Sequence, residues 1–249
     1  MPEWITGRNP VYEVLRAGRR KIIGLQTAKG VRKQGRIIEI LNLAEKQNIP
    51  VSQVPRNAIG RINSGHQGVA LSVGEYPYSS LVEMLELAEE RRQPPFLLIL
   101  DTLQDPQNLG ALLRTAEAVG VHGALLPLRQ TATITPAVVN ASSGASEHLL
   151  IEQTNLAQAI AALKENNVWV VGLDGSDDAK LPEEVRLDGA LALVVGGEGG
   201  GMRRLVRDSC DMLLRLPMRG QIESLNAAVA GSVALYWAWQ ARAWLGLRI

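Results

Sequence analysis

The stretch that decides the fold is residues 191–205, LALVVGGEGGGMRRL. An entirely apolar strand, LALVV, runs into five glycines around Glu198, and a basic segment with helical spacing follows. Strands of this kind are typical of a parallel sheet that is covered on both faces. Glycines between a strand and a helix let the backbone approach a ligand closely and leave N–H groups to bind it. A tight crossover without a ligand explains the same turn equally well.

The spacing of these glycines excludes the common nucleotide-binding loops. No Lys-Ser or Lys-Thr follows them, as a Walker A loop requires, and the G-x-G-x-x-G frame from Gly197 and Gly199 ends on Met202. Glu198 is the unusual residue, because a carboxylate inside a glycine turn does not pack as core. It is either solvated or accepts hydrogen bonds from a ligand or a partner group.

The same alternation of apolar strands and helices extends over the chain from Phe96 onward, and it predicts an α/β domain with a parallel sheet. Ligands of such sheets lie at the carboxyl ends of the strands. Two more polar loops follow strands there. Residues 101–109 precede a helix predicted from Gly110 that carries Arg114, and residues 213–222 precede a long helix predicted from about Glu223.

Two details of these loops stay open on the residues alone. Arg114 is either functional or a surface arginine that pairs with Glu117 three residues later. Ser224 or Asn226 is able to cap the last helix, whose first turns contain only small residues that permit close packing. A helix packed tightly on the sheet is compatible with a functional loop before it.

The first part of the chain predicts a smaller α/β unit. Asn9 and Pro10 are placed as N-cap and first residue of a helix that ends at Gly18, and the unit ends near Gly74. A charged helix, SSLVEMLELAEERR, is predicted next between Pro77 and the Pro94-Pro95 pair, and this segment is interpreted as a connector. The predicted division is therefore 1–76 for the first domain, 77–95 for a linker and 96–249 for the second domain.

The net charge of +1 conceals two parts of opposite charge. Through Ser80 there are 12 Lys and Arg against 5 Asp and Glu, whereas the rest of the chain has 14 against 20. A basic part of this kind favours a polyanionic partner, although a solvated surface without a ligand has the same composition. The basic residues singled out as contacts for such a partner are Arg8, Arg32, Lys33 and Arg36.

Composition excludes several classes of protein. With one cysteine, Cys210, no intramolecular disulfide can form, and three histidines with one thiol do not build a usual zinc site, so no metal is expected. The amino terminus lacks a signal-peptide pattern and no segment is long and apolar enough for a membrane span, so a cytoplasmic protein is expected. Aromatic residues make up only 4%, which disfavours a base-stacking platform for single strands.

Three segments in order, NLGALLRTAEAVG, LVVGGEGGGM and LPMRGQIESLNAAVA, resemble the three motifs of the SpoU (TrmH-type) RNA ribose 2′-O-methyltransferases of the SPOUT superfamily. In addition, residues 62–71, INSGHQGVAL, resemble the end of the ribosomal-protein-like substrate-binding domain of the ribosomal RNA branch, which the tRNA branch lacks. The resemblance implies methyl transfer from S-adenosylmethionine to the ribose 2′-hydroxyl of a guanosine in 23S rRNA, either free or in an assembling large subunit.

The resemblance also implies roles for particular residues. It assigns catalysis, or the support of catalysis, to Asn108, Arg114, Glu198, Ser224 and Asn226, with Arg114 also near RNA phosphate. It assigns the cofactor to Gly196, Gly197, Glu198, Gly199, Leu216, Met218, Gly220 and Leu225. It further implies a deep trefoil knot and a homodimer formed through the knotted domain. Leu216 replaces the usual Ile of the family, and Ala227-Ala228 replaces a Val-Ser pair.

Three other functions remain as alternatives. A tRNA 2′-O-methyltransferase would use the same motifs, and a non-catalytic RNA-binding or ribosome assembly factor would use the same scaffold. The presence of Asn108, Arg114 and Glu198 speaks against the second of these. A nucleotide-dependent oxidoreductase is suggested by the α/β alternation, but the glycine spacing argues against it.

Overall fold

The computed structural model describes residues 2–247, and these form two units. The first unit consists of the chain up to Pro77 together with Thr133–His148. The second consists of Tyr78–Ala132 and the described residues from Leu149 onward. The chain therefore leaves the second unit after Ala132, contributes 16 residues to the first, and returns.

The first unit is built on a four-stranded mixed sheet with the strand order β1-β4-β2-β3. The strand β4 is antiparallel to both of its neighbours, and β2 and β3 are parallel. The strands are β1 (Glu3–Thr6), β2 (Ile22–Ala28), β3 (Val51–Val54) and β4 (Val69–Val73), and the helices between them are α1 (Arg8–Ala17), α2 (Arg36–Lys46) and α3 (Arg56–Gly60).

The helix α1 begins earlier than its sequence predicts. Gly7, with φ of 88°, is the residue before the first turn, so Asn9 lies inside that turn and is not the N-cap. Pro10 is tolerated there because N–H groups of the first turn have no partner within the helix. The predicted end is correct, since Gly18 closes α1 in the left-handed conformation with φ of 64°.

Residues 133–148 are held in the first unit by a buried ion pair. They contain α6 (Pro136–Ala141) and a 3₁₀ turn, Ala145–His148. The Arg20 guanidinium donates from Nε and from a terminal nitrogen to the two carboxylate oxygens of Glu147, at 2.9 and 3.0 Å. The Tyr76 hydroxyl donates to the Ser146 carbonyl oxygen at 2.9 Å. Sequence periodicity predicts this segment as part of the second domain, whereas the structure groups it with the first unit. A buried contact between residues so far apart along the chain leaves no local pattern from which it could be predicted.

Arg20 stays charged in this environment. Burial by itself lowers the pKa of the guanidinium, but the hydrogen bonds and negative charges of Glu147 and Glu3 outweigh it and raise that pKa. The side chains of Arg20 and Glu147 are 0% and 1% exposed. Loss of one partner from an ion pair so completely removed from water would leave a buried charge without compensation and destabilise the fold.

The second unit is a six-stranded sheet in which every pair of neighbouring strands is parallel, in the order β10-β8-β9-β5-β6-β7. This confirms the predicted α/β class. The strands are β5 (Phe96–Leu100), β6 (Gly123–Pro127), β7 (Leu150–Thr154), β8 (Trp169–Leu173), β9 (Leu191–Val195) and β10 (Met212–Leu214). The helices are α4 (Leu81–Glu90), α5 (Pro106–Ala118), α7 (Leu156–Glu165), α8 (Arg204–Ser209) and α9 (Ala227–Ala241).

The charged helix predicted within the linker is present as α4. Ser80 caps this helix and forms a capping box with Glu83. Met84 is fully buried in one hydrophobic cluster with strand residues such as Leu97 and Leu125. Residues 81–90 therefore add a packed helix to the second unit, and only their flanks have the character of a connector.

Two kinds of feature are absent from residues 2–247. No helix there combines the length and the apolar character that a membrane crossing needs. No group of three or more His, Cys, Asp or Glu side chains there is placed so that it could hold a metal ion.

Candidate active site

A cavity of about 550 Å³ opens at the carboxyl ends of β8, β9 and β10, where a parallel sheet places its ligands. Three loops form it: one after β8, the glycine loop after β9, and the segment between β10 and α9. Its lining residues are Leu173, Asp174, Gly175, Val195, Gly196, Gly197, Glu198, Gly199, Gly201, Leu214, Leu216, Met218, Glu223, Ser224, Leu225, Asn226, Ala227 and Ala230.

The glycine loop is closed on itself. Gly197 and Gly201 exchange two backbone hydrogen bonds of 3.1 Å, so the residues between them form a small hairpin that carries Glu198. A Cβ atom on Gly197 would lie 2.5 Å from the carbonyl oxygen of Thr102. Only glycine therefore allows the loop to lie this close to the end of β5, and this supports a close approach of backbone as the reason for the glycines.

A buried carboxylate anchors the far end of this loop. Asp101, at the end of β5, has a side chain that is 0% exposed. It accepts a hydrogen bond of 2.7 Å from the backbone N–H of Arg203 and one of 2.8 Å from its Nε. The sequence by itself assigned Asp101 no role. An acidic residue directly after a wholly apolar strand nevertheless indicates a buried carboxylate that needs a hydrogen-bond donor.

Three polar residues from the three motifs meet at the rim of the cavity. Asn108 donates through Nδ2 to Oε1 of Glu198. Asn226 donates through Nδ2 to Oδ1 of Asn108 at 3.1 Å and to Oε1 of Glu198 at 3.2 Å. Glu198 is 90 residues and Asn226 is 118 residues beyond Asn108 along the chain. Glu198 is thus held by two amides and is not merely solvated.

Local capping explains how two of these residues are placed. Asp105 caps α5 by accepting from the N–H of Gln107, with Pro106 as the first helical residue, so α5 begins before the predicted Gly110 and Asn108 lies in its first turn. Asn226 caps α9 by accepting from the N–H groups of Ala228 and Val229.

The predicted start of the last helix at Glu223 is therefore wrong by four residues. The Asn226 side chain satisfies the first N–H groups of α9, so regular helix begins at Ala227. Ser224 does not cap α9, but it lines the cavity. Residues before the cap stay irregular and exposed, which lets them form a wall of the cavity.

The loop after β8, which forms another wall of the cavity, is positioned by Arg207, a residue that the sequence analysis did not single out. Arg207, on α8, donates to Asp174 at 3.0 Å, to Ser176 at 3.0 Å and to Asp178 at 2.9 Å. Burial alone raises the pKa of Asp174, but hydrogen bonds from Ser176 and Arg207 outweigh it, so the pKa is lowered and Asp174 is ionised at neutral pH. This cluster fixes the loop after β8, where Asp174 lines the cavity.

The lining of the cavity carries only one sign of charge. Asp174, Glu198 and Glu223 contribute carboxylates, whereas no Lys or Arg is among the described lining residues. The rest of the wall consists of glycine backbone, Ser224, Asn226 and small or aliphatic side chains. Such a surface suits a ligand that carries positive charge together with an apolar part.

The structure brings together most of the residues predicted for a cofactor. Gly196, Gly197, Glu198, Gly199, Leu216, Met218 and Leu225 line the cavity, whereas Gly220 does not. Gly220 lies in an exposed turn before α9. Arg114 is exposed on α5 and also does not line the cavity. It lies six residues after Asn108, which is about 9 Å along the helix axis.

The basic residues predicted to bind RNA differ in their exposure and in the contacts that they make within the fold. Arg32 and Lys33 are exposed in the segment between β2 and α2. Arg36 pairs with Glu39 at 2.6 Å and lies over the Tyr12 ring at 4.0 Å from its centroid. Arg8, the first residue of α1, donates from Nε to the carbonyl oxygen of Gln67 at 3.2 Å.

Comparison with known proteins agrees with this geometry. The SpoU rRNA Methylase family matches residues 95–236, and the family described as RNA 2′-O ribose methyltransferase substrate binding matches residues 4–79. YacO of Bacillus subtilis (strain 168), named for the TrmH family of tRNA/rRNA methyltransferases, is 43% identical over 239 residues, with 94% of each chain covered.

Solved structures share the fold. The SpoU methyltransferase AviRb from Streptomyces viridochromogenes, solved in complex with AdoMet, superposes with a TM-score of 0.80 at 20% identity over 96% of this chain and 90% of its own. The A. aeolicus TrmH/SpoU tRNA modifying enzyme superposes with a TM-score of 0.56 at 26% identity over 67% of this chain and 87% of its own. With the three motifs gathered on one cavity and both families matched in order, this chain belongs to the SpoU family of RNA methyltransferases.

Proposed function

We propose that the protein transfers a methyl group from S-adenosylmethionine to the ribose 2′-hydroxyl of a guanosine in 23S ribosomal RNA. The observation that carries this proposal is the cluster of Asn108, Glu198 and Asn226 at the rim of an acidic cavity. It joins the three sequence motifs of an RNA ribose methyltransferase at one place. A cytoplasmic homodimer with a trefoil knot belongs to the same proposal.

The cavity fits S-adenosylmethionine on its own chemistry. The sulfonium and ammonium groups of the molecule are cationic, and the wall offers Asp174, Glu198 and Glu223 without a competing cation among the described lining residues. The aliphatic wall, including Leu216 and Met218, suits the adenine ring. A volume of about 550 Å³ lies within the range of about 300–1,000 Å³ that small-molecule sites occupy.

Bound there, S-adenosylmethionine supplies an electrophilic methyl group for in-line attack. The chain then has three tasks: to hold the 2′-hydroxyl in line, to keep water away from the reacting atoms, and to favour loss of the hydroxyl proton. Asn226 and Asn108 hold Glu198, and Asp101 with Arg203 holds the loop that carries it. These groups are preorganised by contacts already present in the structure.

Arg114 is the proposed partner of the RNA. A guanidinium with a pKa above about 12 is a poor base, so we assign to Arg114 the orientation of the 2′-hydroxyl and the adjacent phosphate. The hydroxyl loses its proton only as its oxygen takes the methyl group, and the adjacent phosphate, oriented by Arg114, accepts this proton and passes it to solvent. Its exposed place on α5, outside the cavity, suits contact with RNA rather than with the cofactor.

The first unit supports ribosomal RNA over tRNA as the substrate. It matches a substrate-binding family, it holds the basic excess of the chain, and the A. aeolicus tRNA enzyme aligns with only 67% of this chain. Structured RNA is read through phosphates, shape and splayed bases, which a separate unit can engage. A tRNA substrate remains the second candidate because the curated relative is named for both substrates.

Methyl transfer from labelled S-adenosylmethionine to unmodified large-subunit rRNA and to bulk tRNA, followed by nucleoside analysis, tests the proposal. We expect 2′-O-methylguanosine in ribosomal RNA alone. Label in tRNA alone would retain the chemistry and overturn the substrate. If neither RNA nor assembling large subunits accept label, and the protein binds no S-adenosylmethionine, the enzyme proposal fails in favour of a binding factor.

The glycine loop provides a test of the cofactor site. Gly197→Ala places a methyl group against the Thr102 backbone, which must shift the loop, so we expect S-adenosylmethionine to bind about tenfold or more weakly. Gly200→Ala is the matched control, because nothing lies within 4 Å of its added Cβ. Calorimetric titration of both variants measures the difference. Equal affinities would remove the cofactor from this loop.

Charge reversal tests the RNA footprint of the first unit. Arg32→Glu with Lys33→Glu removes two exposed cations, and we expect weaker RNA binding with a plot of log Kobs against log salt that is shallower by about 2. S-adenosylmethionine affinity stays unchanged. Arg204→Glu, on an exposed position of α8 in the other unit, is the control. An unaltered slope in the double variant would place the RNA footprint elsewhere.

A further inference from the structure

A second cavity, of about 300 Å³, lies within the first unit. It is bounded by the start of α1, by the loop between α3 and β4, and by the α6 segment that the chain inserts from between β6 and β7. Its lining residues are Thr6, Gly7, Asn9, Pro10, Asn63, Gly65, Gln67, Asn140 and Ser143. Three separate parts of the sequence thus converge on a space at the lower end of the size range for small-molecule sites.

The lining is rich in uncharged hydrogen-bonding groups. It contains four carboxamides and two hydroxyls, and none of its described side chains is ionisable. Carboxamides present a donor and an acceptor side by side, which is the pattern that nucleobase edges match. A phosphate or a carboxylate would instead call for Arg, Lys or a cluster of charged donors. The chemistry of this wall therefore favours a neutral, polar ligand.

One of these carboxamides is incompletely satisfied. The Oδ1 atom of Asn140, on α6, is shielded from solvent and has no hydrogen-bond partner within the described residues. A buried polar atom without a partner is unfavourable for folding by itself. Asn140 lines the cavity, and rotation of its carboxamide about the last side-chain bond would turn this acceptor toward the cavity, where a ligand can supply the donor. It is the one buried side-chain nitrogen or oxygen in residues 2–247 for which this holds.

Other walls of the cavity are already held in place. Arg8 donates its backbone N–H to Oε1 of Gln67 at 3.0 Å and its Nε to the Gln67 carbonyl oxygen at 3.2 Å. Asn63 accepts through Oδ1 from the N–H of Gly65 at 2.8 Å, which fixes the turn between them. Groups fixed in this way lose little conformational freedom when a ligand enters.

We propose that this cavity receives a single nucleobase of the RNA substrate, turned out of its stack, and that Asn140 reads its hydrogen-bonding edge. The inference rests on the proposed function, since it needs an RNA substrate. It adds a base-reading site to the charged surface of the same unit. Contacts with a base carry sequence information, whereas contacts with phosphates do not. The reading group comes from residues 133–148, so the first unit lacks it without the inserted segment.

The experiment uses Asn140→Leu in the full-length protein with an unmodified large-subunit rRNA transcript. Asn140 is half-buried and its Oδ1 has no partner in residues 2–247, so an apolar group of similar size removes an unpaired acceptor, and we expect no decrease in Tm. RNA binding is expected to weaken about five- to fifty-fold, because the base then loses its partner. The salt dependence of binding stays unchanged, since no charge is altered, and S-adenosylmethionine affinity is unaffected.

Two further variants keep the test decisive. Asn57→Leu makes the same change at an exposed position of α3 outside the cavity and is expected to bind RNA normally. Asn9→Leu, at an exposed wall position, repeats the measurement should Asn140→Leu fold poorly. Normal RNA affinity in folded cavity variants overturns this inference alone, and so does a loss of affinity accompanied by a changed salt slope. Absence of RNA binding by the unaltered protein overturns the proposed function itself.

Discussion

Arg114→Ala is expected to reduce kcat for RNA methylation by about 10²–10⁴-fold while leaving S-adenosylmethionine affinity unchanged. The separation of the two effects follows from the structure, because Arg114 is exposed on α5 and lies outside the cavity that Asn108, Glu198 and Asn226 border. Arg114 would act on the ribose hydroxyl and its phosphate, so its loss leaves the cofactor pocket intact. Single-turnover methylation combined with calorimetric titration of the cofactor measures both quantities.

Two variants sharpen this prediction. Arg114→Lys retains the positive charge but not the planar fork of donors, so a loss close to that of the alanine variant is expected if orientation is what matters. Arg204→Ala removes an arginine that is 94% exposed on α8 and is expected to methylate at the normal rate. Near-normal turnover of Arg114→Ala would rule out the role assigned to this residue, whatever its partner in the folded chain.

Glu147→Gln is expected to lower the free energy of unfolding by about 3–5 kcal/mol, the largest effect on stability that we predict. The change leaves the Arg20 guanidinium, 0% exposed, without the carboxylate that accepts two of its hydrogen bonds. Glu3 is a weaker replacement because its side chain is 30% exposed and contacts only one guanidinium nitrogen. Urea unfolding followed by fluorescence and by circular dichroism measures the loss.

A matched control distinguishes burial from ion pairing as such. Glu39→Gln breaks the Arg36–Glu39 pair in the same unit, where the side chains are 37% and 48% exposed, and should cost at most about 1 kcal/mol. The double variant Arg20→Met with Glu147→Gln should be less unstable than the sum of its single changes, because it no longer buries an unpaired charge. Equal losses at Glu147 and Glu39 would contradict this account of the buried pair.

Much of the second unit could be predicted from local pattern. The apolar strands Phe96–Leu100, Gly123–Pro127 and Leu191–Val195 are each buried throughout, as wholly apolar runs in a parallel sheet should be. Helix starts were predicted less well. The signals were present in Asp105, Pro106 and Asn226, but several nearby residues are able to cap a helix, and only the geometry selects one.

The candidate site also contains residues that could be predicted from the sequence and contacts that could not. The polar residues that follow the strands could be recognised from the sequence, because functional groups of a parallel sheet collect at one edge. The supporting contacts could not. Neither the carboxylate of Asp101 beneath Arg203 nor the cluster of Arg207 with Asp174 has a local pattern, since each joins residues separated by 33 positions or more.

The amino-acid sequence by itself determined the α/β class, the three motifs and the unequal distribution of charge, because periodicity, residue order and net charge are properties of the chain before it folds. Tertiary structure alone decided that Asn108, Glu198 and Asn226 share hydrogen bonds, and that residues 133–148 belong with the first unit. Both depend on contacts between residues about 90 to 130 positions apart, such as Arg20 with Glu147. Those contacts form only when burial removes competing water and brings distant segments together.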